Sequence, residues 1–189
     1  NTEDGIRITW NKVDTATGYV IYRRMDSRED EEAGIIFEAS MTSWVDQEAD
    51  RNGAKYSYYV CAFYSDGKSG LSDGGGFYVD LTKAVFSEPS AIMKIYRVEA
   101  PELTELKTKK SGKVDVYWNL VDKVSGYQLQ YSTSSDFKNV ETIQVKDPEA
   151  EFCTLSETDS EKMKYIRLRA YRTVSGKKYY SAWSTFPDD

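Results

Sequence analysis

One phrase occurs twice in the sequence, and this repeat constrains the fold more than any other feature. The segment WNKVDTATGYVIY covers residues 10–22, and a close variant, WNLVDKVSGYQLQY, begins at Trp118. Trp10 is thereby paired with Trp118, and Tyr19 with Tyr127, at an offset of 108 positions. A shared phrase at a fixed offset indicates duplication, so both copies are expected to fold in the same way.

The offset extends well beyond the phrase. It also pairs Trp44 with Phe152 and Ala62 with Ala170. Because an early, a middle and a late segment all keep their spacing, we expect a duplicated domain and not merely a duplicated motif.

The length of the chain agrees with two domains. Its 189 residues suit two domains of about 90 to 100 residues, each large enough to close its own core. We predict domains at residues 1–98 and 99–189.

Hydrophobic residues recur with a period of two, which is typical of half-buried strands. Ile6, Ile8 and Trp10 alternate with polar residues, as do Tyr127 and Leu129. Aromatic residues make up 14% of the chain, and they are enriched in strands. Short antiparallel strands around a common core predict an all-β fold of sandwich type.

Several motifs together resemble fibronectin type III domains. They are the Trp–turn–GY phrase, the alternating strand at Tyr56, Tyr58, Val60 and Ala62, and the closing strand YYSAWS at 179–184. The resemblance implies two immunoglobulin-like (fibronectin type III) β-sandwiches in tandem. The subtype is similar to tandem domains of Gram-positive bacterial surface and secreted proteins, which implies an extracellular location.

The first copy departs from this pattern at two places. Only nine residues precede Trp10, so strand A of the first domain is expected to be incomplete. The connection between strands F and G is long in the first copy, at residues 65–84, whereas the second copy closes it with the short turn TVSGKK.

The long F–G insertion leaves two interpretations open. Loops at the ends of such sandwiches carry recognition, so the insertion predicts a ligand-binding tip; alternatively, it packs against the exposed edge left by the short strand A. The candidate ligand-binding residues are Asp66, Lys68, Asp73, Phe77, Tyr78 and Asp80.

The charge balance argues against nucleic acid and anionic lipid as partners. The net charge is −6, with 17 acidic and 11 basic residues in 1–100 and 14 of each in 101–189. Phosphate binding requires a concentrated positive face, which this balance does not supply. The longest apolar run, YYVCAFY at 58–64, is far below the roughly 18 residues of a membrane span, so no membrane insertion is expected.

Residues suited to catalysis or metal binding are scarce. The chain has no histidine and two cysteines, which disfavours catalytic triads and structural zinc sites. The acidic run DSREDEE at 26–32 lacks the glycine and ligand alternation of a calcium loop and is expected to form an exposed turn. We predict that the chain is not an enzyme and uses no cofactor or metal.

The two cysteines fall in different predicted domains, so both thiols are expected to be free. Cys61 alternates with Val60 and Ala62, and Cys153 follows Phe152. Because these neighbours are expected to face inward, each thiol is expected to lie on the outer face of its sheet.

The closing segment YSAWS at 180–184 resembles the WSxWS box of cytokine receptors. Arg167 and Arg169 are expected to face outward on the preceding strand, where Tyr180 and Trp183 would interleave with them in a structural cation–π ladder. In the first copy, Cys61 stands at one of the two arginine positions, so its ladder is expected to be missing.

Three functions follow from these features. The first is a non-catalytic spacer or interaction module of a larger bacterial cell-surface or secreted protein, with flanking domains and a possible protein or glycan partner. The alternative is an adhesin, or a carbohydrate- or protein-binding module, that uses the 65–84 loop. A cytokine-receptor-like ectodomain is disfavoured, because the paired cysteines of that family are absent.

Overall fold

A computed structural model describes residues 1–65, 81–156, 159 and 163–186. The regular elements named among these residues are fourteen strands and one short 3₁₀ helix, Leu81–Lys83. The strands of the first half are β1 (Ile6–Thr9), β2 (Gly18–Met25), β3 (Glu31–Ile36), β4 (Ser43–Asp46), β5 (Lys55–Tyr64), β6 (Val85–Phe86) and β7 (Met93–Tyr96). Those of the second half are β8 (Leu103–Thr108), β9 (Val114–Trp118), β10 (Gly126–Ser132), β11 (Glu141–Val145), β12 (Phe152–Leu155), β13 (Tyr165–Val174) and β14 (Lys177–Tyr180).

The contacts divide the chain into two compact units. The N-terminal unit contains Asp4–Ala49 and Ala54–Ile95, and the C-terminal unit contains Tyr96–Asp189 together with Asn1–Glu3 and Asp50–Gly53. The domain boundary between residues 98 and 99 and the extent of the F–G insertion stay predictions.

The C-terminal unit is a sandwich of a four-stranded and a three-stranded sheet. The strand orders are β11-β10-β13-β14 and β12-β9-β8, and the pairs within each sheet are antiparallel. Alternate residues of both sheets meet in one core, where Val116, Leu129, Leu155 and Leu168 are 0% exposed.

The N-terminal unit is a sandwich of the same kind with fewer strands in one layer. One sheet has the order β3-β2-β5-β6, with β7 also paired to β5, and the other contains β1 and β4. Its core includes Ile6 from β1, Tyr19 and Ile21 from β2 and Tyr56 from β5. The prediction of an all-β fold with two immunoglobulin-like sandwiches in tandem is confirmed.

The repeated phrase forms the same local structure in both units. The indole of Trp10 lies 5.2 Å from the ring of Tyr19, and its counterpart Trp118 lies 5.2 Å from Tyr127. The Val13 amide donates to the Tyr19 hydroxyl at 3.0 Å, and the equivalent Val121–Tyr127 bond is 3.1 Å. The Trp, Val and Tyr of the phrase therefore contact the same partners in each unit.

The glycine of the phrase is required by a close backbone approach. A Cβ atom on Gly18 would lie 2.2 Å from the Ile36 carbonyl oxygen, and one on Gly126 would lie 2.2 Å from the Val145 oxygen. Each carbonyl belongs to the neighbouring strand, so a side chain at either glycine would push two paired strands apart.

The register at β12 corrects the expectation for Phe152 and Cys153. Ile8 pairs with Trp44 in the N-terminal unit, whereas Val116, which corresponds to Ile8, pairs with Cys153. Phe152 is 48% exposed and Cys153 packs against the core, so the expected inward and outward assignments were wrong. The equivalent of Trp44 is displaced by one residue, and a one-residue shift exchanges the two faces of a strand.

Cys61, unlike Cys153, does not belong to the residues that form or pack against the core of its unit. It is 7% exposed and lies outside the core cluster of that unit.

Among the described residues, no helix is long and apolar enough to span a bilayer.

Candidate functional site

A row of polar residues lies on the outer face of the four-stranded sheet of the C-terminal unit. Register pairs Gln128 on β10 with Arg169 on β13, and Gln130 with Arg167. Leu168, between the two arginines, is 0% exposed. Since successive side chains of a strand point to opposite faces, both arginines lie on the face away from the core.

The arginines and aromatic rings of this face form one continuous stack, which we call the ladder. The Arg167 Cζ lies 4.1 Å from the ring centroid of Phe137 and 4.3 Å from that of Trp183. The Arg169 Cζ lies 4.2 Å from the ring centroid of Trp183 and 3.7 Å from that of Tyr180. The structure thus brings together Arg167, Arg169, Tyr180 and Trp183, and adds Phe137 at one end.

Glutamines hold the guanidinium planes in position. Arg167 donates through Nε and Nη2 to Oε1 of Gln130 at 2.9 and 2.7 Å, and Arg169 donates through Nε to Oε1 of Gln128 at 2.8 Å. With the guanidinium edges bonded in this way, their faces remain free for the rings.

Burial lowers the pKa of both ladder arginines. For Arg169 the neighbouring charge of Arg167 lowers the pKa further, while Tyr180 opposes the change. Both groups stay cationic at neutral pH, because an arginine side chain does not lose its proton in proteins. Chemically, the ladder is a row of fixed cations sandwiched between aromatic rings.

The contact of Phe137 with Arg167 was not predicted from the sequence, and the residues around Phe137 give no local signal for it. It lies in the turn between β10 and β11 with φ of 51°, a left-handed conformation that is unfavourable for a bulky residue. The Phe137 amide donates to the Ser134 carbonyl at 3.1 Å. This backbone geometry directs the ring toward Arg167.

The serines of the closing segments act alike in both units. The Ala170 amide donates to Oγ of Ser181 at 3.0 Å, and the Ala62 amide donates to Oγ of Ser87 at 3.0 Å. FSEPS at 86–90 is therefore the structural counterpart of YSAWS, although proline stands where the ladder has Trp183.

In the N-terminal unit, the two positions that correspond to the ladder arginines hold Tyr59 and Cys61. The ring of Tyr59 stacks on Tyr22, with centroids 4.9 Å apart and planes 14° from parallel. An aromatic pair thus stands where the other unit has a cation and a glutamine.

The N-terminal unit contains a buried ionic cluster that sequence reasoning also missed. Nη1 of Arg23 lies 2.8 Å from Oδ1 of Asp46, and the Tyr58 hydroxyl donates to Oδ2 of the same carboxylate at 2.6 Å. Burial disfavours the charged form of Arg23, but hydrogen bonds to Glu31, Asp46 and Glu48 outweigh it and raise the arginine pKa. Burial, followed by the bond to Asp46, raises the pKa of Tyr58.

Solved structures that are similar to this chain include segments of two chicken proteins. No protein-family model matches the chain, and no curated protein matches it. The FN1–FN3 domains of chicken CNTN1 are 18% identical with a TM-score of 0.38, over 97% of this chain and 58% of that one. A two-domain fibronectin type III segment from chicken tenascin is 14% identical with a TM-score of 0.39, over 97% and 91% of the two chains. At such identities and TM-scores, these matches add nothing to the strand orders and registers described above.

The acidic run at 26–32 forms ion pairs with arginines of β2. Arg24 contacts Asp30 at 2.6 Å, and Arg23 contacts Glu31 at 2.8 Å. Across the parts of the chain that the structure describes, no group of three or more histidine, cysteine or acidic residues is placed to hold a metal ion.

The candidate residues of the F–G insertion lie outside the described residues. These residues are Asp66, Lys68, Asp73, Phe77, Tyr78 and Asp80. Their part in ligand binding therefore stays a prediction.

Proposed function

We propose that the chain is a non-catalytic spacer and interaction module of a larger bacterial cell-surface or secreted protein. In this role the two sandwiches separate flanking domains and offer their outer faces to protein or glycan partners. The extracellular setting agrees with the resemblance of the sequence motifs to tandem fibronectin type III domains.

The observation that carries the proposal is the ladder. Each of its two arginines donates a hydrogen bond to a glutamine from an edge of the guanidinium group, and the faces of that group stack on aromatic rings. The Nε and Nη2 groups of Arg167 and the Nε group of Arg169 donate to side chains of the sheet itself, and the stacked rings hold both guanidinium planes against that sheet. The conspicuous polar groups of the C-terminal unit therefore support the fold.

The buried cluster of the N-terminal unit supports the same conclusion. The Asp46 carboxylate accepts bonds from Arg23, from Tyr58 and from the Glu48 amide. Its exposure is 1%, and its oxygens are occupied by the protein. Such a carboxylate is used for structure and not for proton transfer to a substrate.

A replacement experiment tests this function. In the gene of the full-length parent protein, residues 1–189 are replaced by two unrelated β-sandwich domains of similar length, and a second strain lacks only residues 66–80. A spacer predicts that surface display and the activity of flanking domains survive both changes. Loss of cell or matrix attachment with display intact would contradict the spacer role. Loss in both strains would indicate binding through the insertion, whereas loss in the replacement strain alone would indicate binding through another surface of the chain.

A further inference from the structure

Asn52 is the only asparagine in the sequence that is followed directly by glycine. Such a pair is chemically labile in an open chain, because the nitrogen of the following residue attacks the side-chain amide and glycine has no side chain to hinder it. The pair is part of the segment Asp50–Gly53, which belongs to the C-terminal compact unit. The contacts of this segment within that unit therefore decide whether the pair reacts.

The local backbone requires the glycine that makes the pair labile. Gly53 has a φ of 76°, in the left-handed region that residues with a side chain adopt only with strain. A bulkier residue at position 53 would slow the reaction, but it would also strain the segment. The fold thus retains a reactive pair at this point.

The side-chain amide of Asn52 is held at both of its polar atoms. Nδ2 donates to the carbonyl oxygen of Asp122 at 2.8 Å, and Oδ1 accepts a bond from the backbone amide of Glu99 at 3.2 Å. An asparagine that reacts must be free to bring its Cγ atom onto the nitrogen of the next residue. Both bonds therefore restrain the reaction.

The attacking nitrogen is restrained as well. The Gly53 amide donates to the carbonyl oxygen of Arg97 at 2.9 Å, and Arg97 is only 7% exposed. The amide must lose its proton before it attacks, and this proton is held in a hydrogen bond inside the unit. All three bonds of the pair have to open before the reaction starts.

We propose that Asn52 is a deamidation site whose reaction is controlled by the opening of segment 50–53. When the segment leaves its partners, the Gly53 nitrogen gives its proton to solvent and attacks Cγ of Asn52, and ammonia leaves as the Cγ–Nδ2 bond breaks. Water then opens the cyclic imide at one of its two carbonyl groups, so position 52 becomes aspartate or isoaspartate. This site goes beyond the proposed function, because a spacer requires no covalent change.

The product weakens the return of the segment to its partners. A carboxylate at position 52 has no proton to donate to the Asp122 carbonyl, so two acceptors face each other. Isoaspartate also lengthens the backbone by one atom just before the bond from Gly53 to Arg97. The ammonium of Lys123, which lies 3.4 Å from the Asn52 carbonyl oxygen, offsets part of the new charge but does not restore the lost donor. The modification therefore favours the open segment.

The rate of deamidation in the folded chain tests the proposal. The whole 189-residue chain and a peptide of residues 48–57 are incubated in the same mildly alkaline buffer, and mass spectrometry measures conversion at position 52. The folded chain should react at least about tenfold more slowly, and the slowing should match the protection of the Gly53 amide from hydrogen exchange, measured by NMR. Asn139, which precedes the β-branched Val140, is the internal control and should stay unmodified.

Two pairs of variants locate the control of the reaction. Glu99→Pro removes the amide that donates to Asn52 and should speed deamidation several-fold, whereas the matched Glu99→Ala should keep the parent rate; thermal melting checks that both are folded. Asn52→Asp, which copies the product, should speed exchange of the Gly53 amide several-fold. Asn139→Asp adds the same charge elsewhere in the unit and should leave that exchange unchanged.

The comparison of the two aspartate variants keeps the test decisive if Glu99→Pro unfolds the unit. Deamidation of the folded chain as fast as that of the peptide would overturn the proposal. So would a slowing equal to the protection of core amides such as that of Leu168, because global unfolding would then control the reaction. Unchanged exchange of the Gly53 amide in Asn52→Asp would also overturn it.

Discussion

Arg23 and Asp46 form an ion pair at 2.8 Å in which the two side chains are 10% and 1% exposed. Strand registers place Tyr131 and Leu155 at the corresponding positions of the C-terminal unit. The same fold therefore accepts at this point either a buried ionic pair or a leucine beside a tyrosine whose hydroxyl donates to Asp159 at 2.8 Å. The difference between the copies is a natural test of what a buried ion pair contributes.

Asp46→Leu alone should destabilise the N-terminal unit by about 3 kcal/mol, because it leaves the Arg23 guanidinium buried without its main partner. The exposed carboxylates of Glu31 and Glu48 remain and keep the loss near the lower end of the usual range. Differential scanning calorimetry measures the effect. As a control, the triple change Arg23→Tyr, Asp46→Leu and Tyr58→Ile, which copies the other unit, should be neutral or stabilising; a triple variant less stable than Asp46→Leu would contradict this account.

Trp183→Ala should destabilise the C-terminal unit by about 2 kcal/mol, because the indole contacts two guanidinium groups and each cation–π contact contributes about 0.5 to 1 kcal/mol at such sites. The remainder comes from lost packing. Urea denaturation provides the measurement. Tyr165→Ala, on the same sheet but 44% exposed, is the matched control and should change stability by less than about 0.5 kcal/mol; equal effects of the two changes would argue against the ladder.

Phe137→Gly should be more stable than Phe137→Ala by about 1 kcal/mol, the reverse of the usual order. Both changes remove the ring from Arg167, but only glycine adopts a φ of 51° without a steric cost. Urea denaturation of the pair gives the difference directly. If alanine proves the more stable, the left-handed backbone at this turn is not maintained in solution.

The Asp136 carboxyl should titrate with a pKa of about 2, lowered by Lys138, by the Ser134 hydroxyl and by the Lys138 amide. An ordinary aspartate titrates at about 3.9. Because the folded pKa is the lower one, the turn is stabilised above pH 4 and loses that stabilisation as the pH falls toward 2. Carboxyl NMR follows the titration; Lys138→Ala should raise the midpoint, and added salt should do the same in the parent chain. A midpoint near 4 in low salt would exclude these contacts.

Both thiols should react slowly with alkylating reagents in the folded chain. Burial raises the pKa of Cys61, and the charge of Glu88 raises it further. Burial also raises the pKa of Cys153, and the charge of Asp115 adds to that effect. Since the thiolate is the reactive form, less of it is present at pH 8 than in a free cysteine. Mass spectrometry of native and urea-unfolded protein measures the rates, and Cys61→Ser and Cys153→Ser assign them. A thiol that reacts as fast in the native as in the unfolded protein would contradict its assigned environment.

Much of the fold could be predicted because its signals are an internal repeat and a local periodicity. The offset of 108 between Trp10 and Trp118 indicates duplication, and the period of two around Ile6 and Leu129 indicates strands with one buried face. The ladder positions of Arg167 and Trp183 could also be predicted, because strand alternation together with the closing YSAWS segment places them on the same outer face. The strand inferences use neighbouring residues and the alternation of an extended chain, whereas the duplication follows from comparing two distant segments.

Other features depend on which strands become neighbours. The one-residue displacement that buries Cys153 and exposes Phe152 is set by the pairing of β12 with β9. It could not be predicted from the sequence, because the repeat keeps the same offset before and after this strand. The Arg23–Asp46 pair joins residues 23 positions apart on different sheets, and Phe137 reaches Arg167 only through an unusual turn conformation. The sequence by itself thus determined the number of sandwiches and the faces of most strands, because the first follows from the internal repeat and the second from local periodicity. Only the tertiary structure decided the register and the buried charges, because these depend on contacts between distant segments.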